Sequence, residues 1–449
     1  MQVKSAAPLY RTEEGLGIWP HRGKVACVGV GQSPTLRRWE GSADTSVGAW
    51  AILAIRMAIA EAGVKASDVD GMVLVPSTST GSLWPESKPL PESFLRRFKQ
   101  TENRLDGIAQ LSPEWLLKNI PELTNVKTVI IAHECMTMAL TAAIEAVGQG
   151  RATTCLAVKG WHNFEGRYYH GGVNAEPTVS GSFQKKYIDS LAGPGCYPVA
   201  TQFQRYMYKY GKTHEMMAPF VVNSRKNGLL FPEGFWAQHR PFELTEEDYN
   251  NERWIAKPAN VLDNDLPIHT AAAYVVTTSE RARDLRQKPV YVLGHAGSAT
   301  IDGDDCYELQ PHGAIETLEE AEERSATTAR KVYEAAGLTW RDIQFENFYD
   351  GFGLFHVFHL EGFSFAGVKC GEGLDFYKTD ISIDGPNPVS PSGGNIGCGR
   401  TRWWMHTDSI QQIRGTAGAR QIKIPAEVGI SGGFEPWWSN FIVWSKHPS

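Results

Sequence analysis

Two hydrophobic patterns alternate along this chain and predict strands and helices in turn. Apolar positions spaced three and four residues apart predict helices, at 46–62, 136–147, 199–210, 316–336 and 409–414. Short apolar runs bounded by polar residues predict buried strands, at 24–31, 71–75, 126–131, 154–158, 272–278, 290–293, 427–430 and 441–444. Strands that alternate with helices in this way are typical of α/β proteins.

One unit of helix, glycine, turn and strand occurs twice. In the first copy the helix ends before Gly63 and the turn contains Asp68. In the second copy Gly337 and Asp342 stand at the same separation, and the strand leads into Tyr349-Asp350. Such distant self-similarity predicts a duplicated βα architecture. Because open α/β sheets bind their ligands at strand ends, the end of the second strand is a candidate site.

Composition and charge exclude several classes of protein. The net charge of −6 over 449 residues argues against a nucleic-acid binder. No run of about 18 apolar residues occurs, so no membrane span is predicted. Seven scattered cysteines form no C-x-x-C pair, which predicts neither a metal site nor a disulfide framework. The N-terminus lacks the apolar core of a signal peptide, so a cytoplasmic enzyme is expected.

Five short motifs carry a resemblance to a known family. They are FQRYM at 203–207, LTEEDY at 244–249, PIHTAAA at 267–273, SGG at 392–394 and GCG at 397–399. Their order and spacing, together with the internal repeat, resemble the thiolase superfamily. The similar branch includes the sterol-carrier-protein thiolases and the bacterial lipid-transfer-type thiolase-like proteins.

This resemblance implies both a fold and a division of the chain. The implied fold is α/β, with two pseudo-repeated βαβαβαββ halves that form a five-layer α-β-α-β-α sandwich. The first half spans 24–295 and carries loop-domain insertions at 77–123 and 161–250, and the second half spans 296–449. Long loops are usually functional, and the excursions at 77–123 and 161–192 could form a docking surface or a lid.

The chain departs from the thiolase pattern at its catalytic positions. A thiolase uses a cysteine at a helix N-terminus, where the helix dipole lowers the thiol pKa. Counting back from the turn that ends the 136–147 helix puts that position at His133, with Cys135 two residues later. Arg400 stands where the family has a histidine, and 429–434 lacks the second cysteine. Ordinary thiolase chemistry is therefore not expected, although Cys135 stays a candidate nucleophile.

The remaining candidate groups could support acid–base chemistry and charge stabilisation. Tyr349 at a strand end could give or take a proton, with Asp350 orienting it, or it could be a core tyrosine. The amides of Gly393-Gly394 could hold a thioester oxygen, or the two glycines could only form a tight turn. Arg400 could bind coenzyme A phosphates or an internal carboxylate.

Three histidines are further candidates. His133 could bind substrate or act as an acid or base, and it could equally be a helix-cap residue. His269 replaces an aspartate of the family near the pocket wall. His406 follows an aromatic pair, Trp403-Trp404, and could face the same pocket.

The missing cysteine suits cleavage of a C–C bond without an acyl-enzyme, and in this respect the chain resembles steroid side-chain retro-aldolases. The resemblance implies cleavage of a β-hydroxyacyl-CoA into a ketone and a shorter acyl-CoA, with coenzyme A as part of the substrate and no covalently bound cofactor. It also implies a homodimer through 126–131 and a small partner with an OB-fold and zinc ribbon. Two alternatives stay open: a CoA-dependent acyltransferase that uses Cys135, and a non-catalytic thiolase-like scaffold.

Overall fold

The computed structural model describes residues 17–79, 88–132, 135–164, 196–298, 317–436 and 439–449. Their strands are β1 (Val25–Gln32), β2 (Gly71–Ser79), β3 (Thr128–Ile131), β4 (Thr154–His162), β5 (Trp254–Ala256), β6 (Ala259–Asn260), β7 (Thr270–Thr278), β8 (Val290–Gly297), β9 (Phe345–Phe348), β10 (Val428–Gly432) and β11 (Asn440–Ser445). Strands β5 and β6 pair with each other, and the others form one sheet in the order β3-β2-β4-β7-β1-β8-β11-β10-β9.

The helices alternate with these strands. In chain order they are α1 (Val47–Ala62), α2 (Glu92–Arg97), α3 (Pro113–Asn119), α4 (Met136–Gly148), α5 (Cys196–Tyr210), α6 (Ala218–Leu229), α7 (Phe235–His239), α8 (Glu246–Asn251), α9 (Ser279–Ala282), α10 (Leu318–Ala336), α11 (Gly353–Gly362), α12 (Gly373–Phe376), α13 (Gly394–Cys398) and α14 (Trp404–Arg414). The predicted elements are confirmed, with ends that differ by a few residues. The largest differences are at α14, which begins earlier than predicted, and at β2, β4 and β8, which run on past their predicted ends to Ser79, His162 and Gly297.

The duplication predicted from the sequence is visible in the sheet. In the first half β2 is parallel to β4, and β4 and β1 are both antiparallel to β7. In the second half β9 is parallel to β10, and β10 and β8 are both antiparallel to β11. A short antiparallel ladder between β1 and β8 joins the two halves. The order and directions of these strands are therefore the same in both halves.

The two copies of the repeated unit are also capped in the same way. Helix α1 ends at Gly63 (φ 73°) and α10 ends at Gly337 (φ 64°), both in the left-handed conformation that glycine adopts without strain. In each copy a short 3₁₀ turn that contains the aspartate follows, and then a strand. Local sequence therefore sets the same exit from the helix twice.

Three hydrophobic cores separate the layers. One lies between α1 and the first half of the sheet, and another lies outside the second half, under α10 and α11. The third lies between the two halves and is built around α4 and α14. This is the five-layer α-β-α-β-α arrangement, and the predicted fold class is confirmed.

The first predicted insertion is packed onto the body of the protein where it is described. Trp115 of α3 is buried and lies against Gly48 of α1, where an added Cβ would strike the indole. The part of 77–123 around α3 therefore packs against α1, whether or not the segment also serves as a docking surface. Within the second insertion, 161–250, residues 165–195 lie outside the described residues.

Candidate active site between the two halves

Tyr349 lies at the carboxyl end of β9, where the sequence placed it. Its backbone N–H donates to the carbonyl of Gly432 at 2.9 Å, which continues the parallel pairing of β9 with β10. The side chain is 1% exposed, and its ring packs edge-on against Phe434 with 5.2 Å between centroids. The phenol is therefore held in one orientation by the ends of two strands.

The Tyr349 hydroxyl shares its surroundings with Asp265, a residue that sequence reasoning missed. A Cβ added at Gly351 would collide with the hydroxyl oxygen and lie 2.9 Å from Oδ2 of Asp265. The backbone N–H of Asp265 donates to the carbonyl of Gly351 at 3.0 Å, and the carboxylate is buried. Phenol and carboxylate thus border the same small space above a residue that must lack a side chain.

Two arginines bring positive charge to this space. Arg400 Nε lies 3.8 Å from Asp265 Oδ2. The guanidinium of Arg402, a residue only 3% exposed, lies 3.8 Å from the centre of the Phe434 ring and 5.9 Å from that of Tyr349. Arg402 also has φ 65°, a strained conformation for a residue with a side chain, which the amide oxygen of Asn395 supports by accepting its N–H at 3.0 Å.

Trp161 connects this cluster to the first half of the molecule. It lies near the end of β4 and is 2% exposed. Its ring centre is 5.2 Å from the guanidinium of Arg400 and 5.4 Å from that of Arg402. The cluster of Tyr349, Asp265, Arg400, Arg402, Trp161 and Phe434, here called the tyrosine–arginine site, therefore draws on both halves.

Burial sets the protonation of this site. It raises the pKa of Asp265 to about 7, against the opposing effect of Arg400 and Arg402. Burial also raises the pKa of Tyr349 above its usual value, again against the opposing effect of Arg402. At neutral pH the phenol is protonated, and Asp265 is the group that titrates.

Asp350 has a different role from the predicted one. Its carboxylate accepts the N–H groups of Asn395 at 2.6 Å and Ile396 at 3.1 Å, at the start of α13. Burial raises its pKa to about 6, and these two backbone donors oppose that change. The correction is that Asp350 anchors the glycine loop instead of orienting the Tyr349 hydroxyl.

The structure decides between the two interpretations of the glycine loop, and it favours the tight turn. The N–H of Gly393 donates to the carbonyl of Ser390 at 2.8 Å, and the N–H of Gly394 donates to Ser392 Oγ at 3.0 Å. Both glycines are left-handed, and a Cβ on Gly393 would strike the backbone of Gly228 in α6. Because these amides are already paired, the loop does not support an oxyanion hole, and close packing explains its glycines.

Helix α4 begins at Met136, as the sequence predicted, and Cys135 is its N-cap. The position that the count from the sequence gave to the nucleophile, His133, comes two residues before this N-cap. Cys135 is 3% exposed, and its side chain makes no capping hydrogen bond. His133 itself lies outside the described residues. The cysteine therefore occupies the helix start, where a thiolase-type nucleophile is expected.

His406 connects this helix start to the strand beside Tyr349. Its Nε2 is hydrogen-bonded to Thr137 Oγ1 and its Nδ1 to Ser431 Oγ, both at 2.7 Å. Burial lowers the pKa of His406 to about 3. A neutral imidazole with both nitrogens engaged holds α4 against β10, and this geometry favours a structural role.

His269 is engaged elsewhere. Its Nε2 bonds the carbonyl of Thr45 at 2.7 Å, and its Nδ1 accepts the N–H of Asn163 at 3.3 Å. Burial lowers its pKa to about 4. The structure thus does not bring His269 to the tyrosine–arginine site, and this side chain fastens β7 to the segment before α1.

Two predicted absences concern metals and membranes. Among the described residues, no group of three or more His, Cys, Asp or Glu side chains is arranged to hold a metal ion. None of the helices in the described part of the chain has the length and apolar character of a bilayer span.

Comparisons with known proteins agree with this fold. The thiolase C-terminal domain-like family matches residues 310–440. A 17-hydroxy-3-oxo-4-pregnene-20-carboxyl-CoA lyase of Mycobacterium tuberculosis is 27% identical over 426 residues, covering 91% of this chain and 97% of the lyase. A steroid side-chain-cleaving aldolase of Thermomonospora curvata is 26% identical over 408 residues, covering 88% of this chain and 91% of the aldolase.

Structure comparison gives the same result for the fold. An Ltp2-ChsH2(DUF35) aldolase superposes with a TM-score of 0.72 at 21% identity, covering 94% of this chain and 98% of the other. Residues 310–440 thus resemble the C-terminal domain of thiolases, and the described chain has a thiolase-like fold. Over most of its length the chain is similar to a pregnene-carboxyl-CoA lyase and to a steroid side-chain-cleaving aldolase.

Proposed function

We propose that this protein is a thiolase-like C–C lyase that cleaves a β-hydroxyacyl-CoA into a ketone and a shorter acyl-CoA. The observation that carries the proposal is the buried phenol of Tyr349 at a strand end, beside the guanidinium of Arg402. Cleavage of this kind needs a group that moves a proton and a positive charge near the developing enolate. The lyase and the aldolase to which this chain is similar support the same reaction. We propose a steroid side chain as the acyl part of the substrate.

In this proposal the arginines stabilise the negative charge that develops on the enolate. A guanidinium keeps its charge when buried and presents several donors in a fixed plane, which suits a thioester oxygen that becomes negative. Arg402 is buried between aromatic rings, so its charge acts in a medium that screens it little. Arg400 lies nearer to Asp265 and is proposed to balance that carboxylate. This replaces the backbone amides that the sequence suggested.

Tyr349 works as a proton carrier in the proposed reaction. Because burial keeps the phenol protonated, it does not act as a ready-made base. It can accept the substrate's hydroxyl proton only if its own proton passes to another group at the same time. The C–C bond then breaks, the ketone forms, and the α-carbon of the shortened thioester takes up a proton.

A panel of β-hydroxyacyl-CoA thioesters that includes a steroidal one tests this function. The expected result is release of a ketone and a shortened acyl-CoA, identified by mass spectrometry, with at least one member of the panel. The Cys135→Ala variant should cleave the same substrate at a similar rate, since no acyl-enzyme is formed. An acyl adduct on Cys135 would contradict the proposal, and absence of turnover across the panel would favour a non-catalytic scaffold.

Acyl transfer is the second candidate function, and the position of Cys135 favours it. The residue caps a helix of 13 residues, a place where a thiolate is stabilised by the helix dipole. In that case alkylation of Cys135 would abolish activity, and the Ala variant would be inactive. The same two measurements therefore separate acyl transfer from C–C cleavage.

A homodimer through β3 is also proposed. This strand is at the edge of the sheet, and Val129 and Ile131 are each 44% exposed on it. An apolar edge strand is a surface that proteins usually cover, and a second copy of the same strand would cover it.

A small OB-fold and zinc-ribbon partner remains a further proposal, supported by the name of the aldolase that superposes on this chain. A cytoplasmic location of the protein is also proposed.

Replacing Val129 and Ile131 together with lysine is expected to convert the dimer to a monomer, because four buried charges would face each other across the two strands. Analytical ultracentrifugation measures the change. The matched control is Leu53→Lys, since Leu53 is 40% exposed on α1, away from this edge. Equal masses for the edge variant and the control would contradict an interface at β3.

A further inference from the structure

His359 is a buried histidine that the proposed reaction does not use. It lies on α11, the helix that follows Tyr349 in the chain, and is 1% exposed. Its Nε2 is 2.8 Å from the backbone carbonyl oxygen of Phe434. Because a carbonyl oxygen only accepts hydrogen bonds, Nε2 carries a proton and donates it. The imidazole therefore joins α11 to the turn after β10 that carries Phe434.

Burial keeps the His359 ring neutral by lowering its pKa to about 3. The hydrogen bond to Phe434 opposes this change, and the charge of His356 adds to it. At neutral pH the ring therefore has one N–H, and the Phe434 carbonyl accepts it. Among the described residues, Nδ1 has no hydrogen-bond partner. A leucine of similar volume would avoid this unpaired nitrogen, so packing alone does not explain a histidine here.

Side chains hold both backbone groups of Phe434. Its N–H donates to Ser439 Oγ at 3.1 Å, and its carbonyl accepts the N–H of His359. The preceding residue, Gly433, has φ 103°, and a Cβ there would lie 3.0 Å from His359 Nε2, so the imidazole packs directly against this turn. The position of Phe434 therefore depends on the hydrogen bond from His359, because Phe434 lies beyond the end of β10.

The Phe434 ring transmits this restraint to the tyrosine–arginine site. The guanidinium of Arg402 lies 3.8 Å from the centre of the ring, and the ring of Tyr349 meets it edge-on at 5.2 Å. His359 also packs edge-on against Phe348, the residue before Tyr349, with 6.2 Å between ring centres. A shift of the turn would therefore move the aromatic ring on which the Arg402 charge rests.

We propose that His359 is a positioning residue, which holds the Phe434 ring against the Arg402 guanidinium through its hydrogen bond to the Phe434 carbonyl. This inference rests on the proposed C–C lyase function. His359 does not touch the substrate. It acts through Phe434 on the charge that stabilises the enolate and on the orientation of the Tyr349 phenol.

Two substitutions separate the hydrogen bond from the bulk of the side chain, with the β-hydroxyacyl-CoA that the wild type cleaves fastest as substrate. His359→Leu removes the donor and keeps a similar volume. We expect it to lower kcat about 10- to 100-fold with little change in KM, because the reacting groups are displaced. His359→Gln supplies an N–H donor on a side chain of similar reach and should restore most of kcat. A kcat as low in His359→Gln as in His359→Leu would reject the hydrogen bond as the cause.

The matched control is Tyr333→Phe, which also removes a hydrogen bond to a backbone carbonyl beside α11. The Tyr333 hydroxyl donates to the carbonyl of Phe363, the residue that caps the end of this helix. This variant should have a lower melting temperature and the kcat of the wild type. A purely structural His359 would give the same result in His359→Leu, with a lower melting temperature and unchanged kcat, and that result would overturn the proposal.

A double-mutant cycle tests whether the effect passes through the Phe434 ring. In a Phe434→Leu background the ring is absent, so His359→Leu should lower kcat no further. Additive losses of kcat would mean that His359 acts by another route, and they would contradict the proposed positioning role.

A measurement without substrate separates this inference from the proposed function. Para-fluorophenylalanine in place of Phe434 reports the surroundings of the ring through its fluorine NMR signal. The signal should move or broaden in His359→Leu and return to its original position in His359→Gln. An unmoved signal in His359→Leu would reject the positioning role even if cleavage is observed. A signal that moves and is restored, in a protein that cleaves no thioester, would uphold the positioning of Phe434 and reject the lyase function.

Discussion

Replacing Tyr349 with phenylalanine is expected to slow ketone release by about 10²- to 10⁴-fold, the usual contribution of a general acid–base group. The substitution removes only the hydroxyl, so the ring keeps its packing against Phe434 and Phe355. Folding stability should therefore change little. Steady-state kinetics by mass spectrometry and thermal unfolding of the same samples measure the two quantities.

The matched control is Tyr333→Phe, on α10. The Tyr333 hydroxyl donates to the carbonyl of Phe363 at 2.8 Å, and neither residue belongs to the tyrosine–arginine site. Its loss should cost about 0.5–1.5 kcal/mol of stability and leave kcat unchanged. The opposite pattern, with cleavage retained in Tyr349→Phe, would remove Tyr349 from the mechanism.

Gly351→Ala is expected to inactivate the protein by displacing the phenol. The backbone of Gly351 is not left-handed, so alanine is allowed there by conformation alone. Its methyl group would nevertheless collide with the hydroxyl oxygen and the ring carbon of Tyr349, and would crowd Asp265 Oδ2 at 2.9 Å. Overpacking of this kind costs about 1–3 kcal/mol, and the shifted phenol would no longer face the arginines. Chemical denaturation and kcat measure the two effects.

A double-mutant cycle isolates this clash. In a Tyr349→Ala background the ring is absent and only Asp265 Oδ2 still crowds the new methyl group, so adding Gly351→Ala should cost much less stability. The coupling energy should thus account for most of the cost of the single change. An equal cost of Gly351→Ala in both backgrounds would mean that the clash is with something other than Tyr349.

The elements and the repeat were predictable because they depend on local chemistry. Helices α1 and α10 both end at a glycine in the left-handed conformation, and the aspartate turn that follows each is also a local motif. Tyr349 was found because a repeated pattern put it at the end of a strand. Signals of this kind depend on residues only a few positions apart, so a single sequence is enough to show them.

The errors at the site concern hydrogen bonds made over long distances in the chain. The sequence shows that Asp350 follows Tyr349, but not that its carboxylate accepts the N–H groups of Asn395 and Ile396. In the same way, the Gly393-Gly394 pattern fits both an oxyanion hole and a packed turn. Only the partners of its N–H groups decide between them. The sequence around a hydrogen-bond donor or acceptor is the same whether or not that group is paired in the folded protein.

By itself, the sequence determined the fold class, the duplicated unit, the position of Tyr349 and the departure from thiolase chemistry, because each depends on periodicity or on which residue types are present. Only the tertiary structure brought Asp265 and Tyr349 to the same space beside Gly351, and Arg402 to the rings of Phe434 and Trp161. These groups come from segments far apart in the chain, and no local pattern marks them. Burial, which changes the pKa of Asp265, exists only once the two halves are packed together.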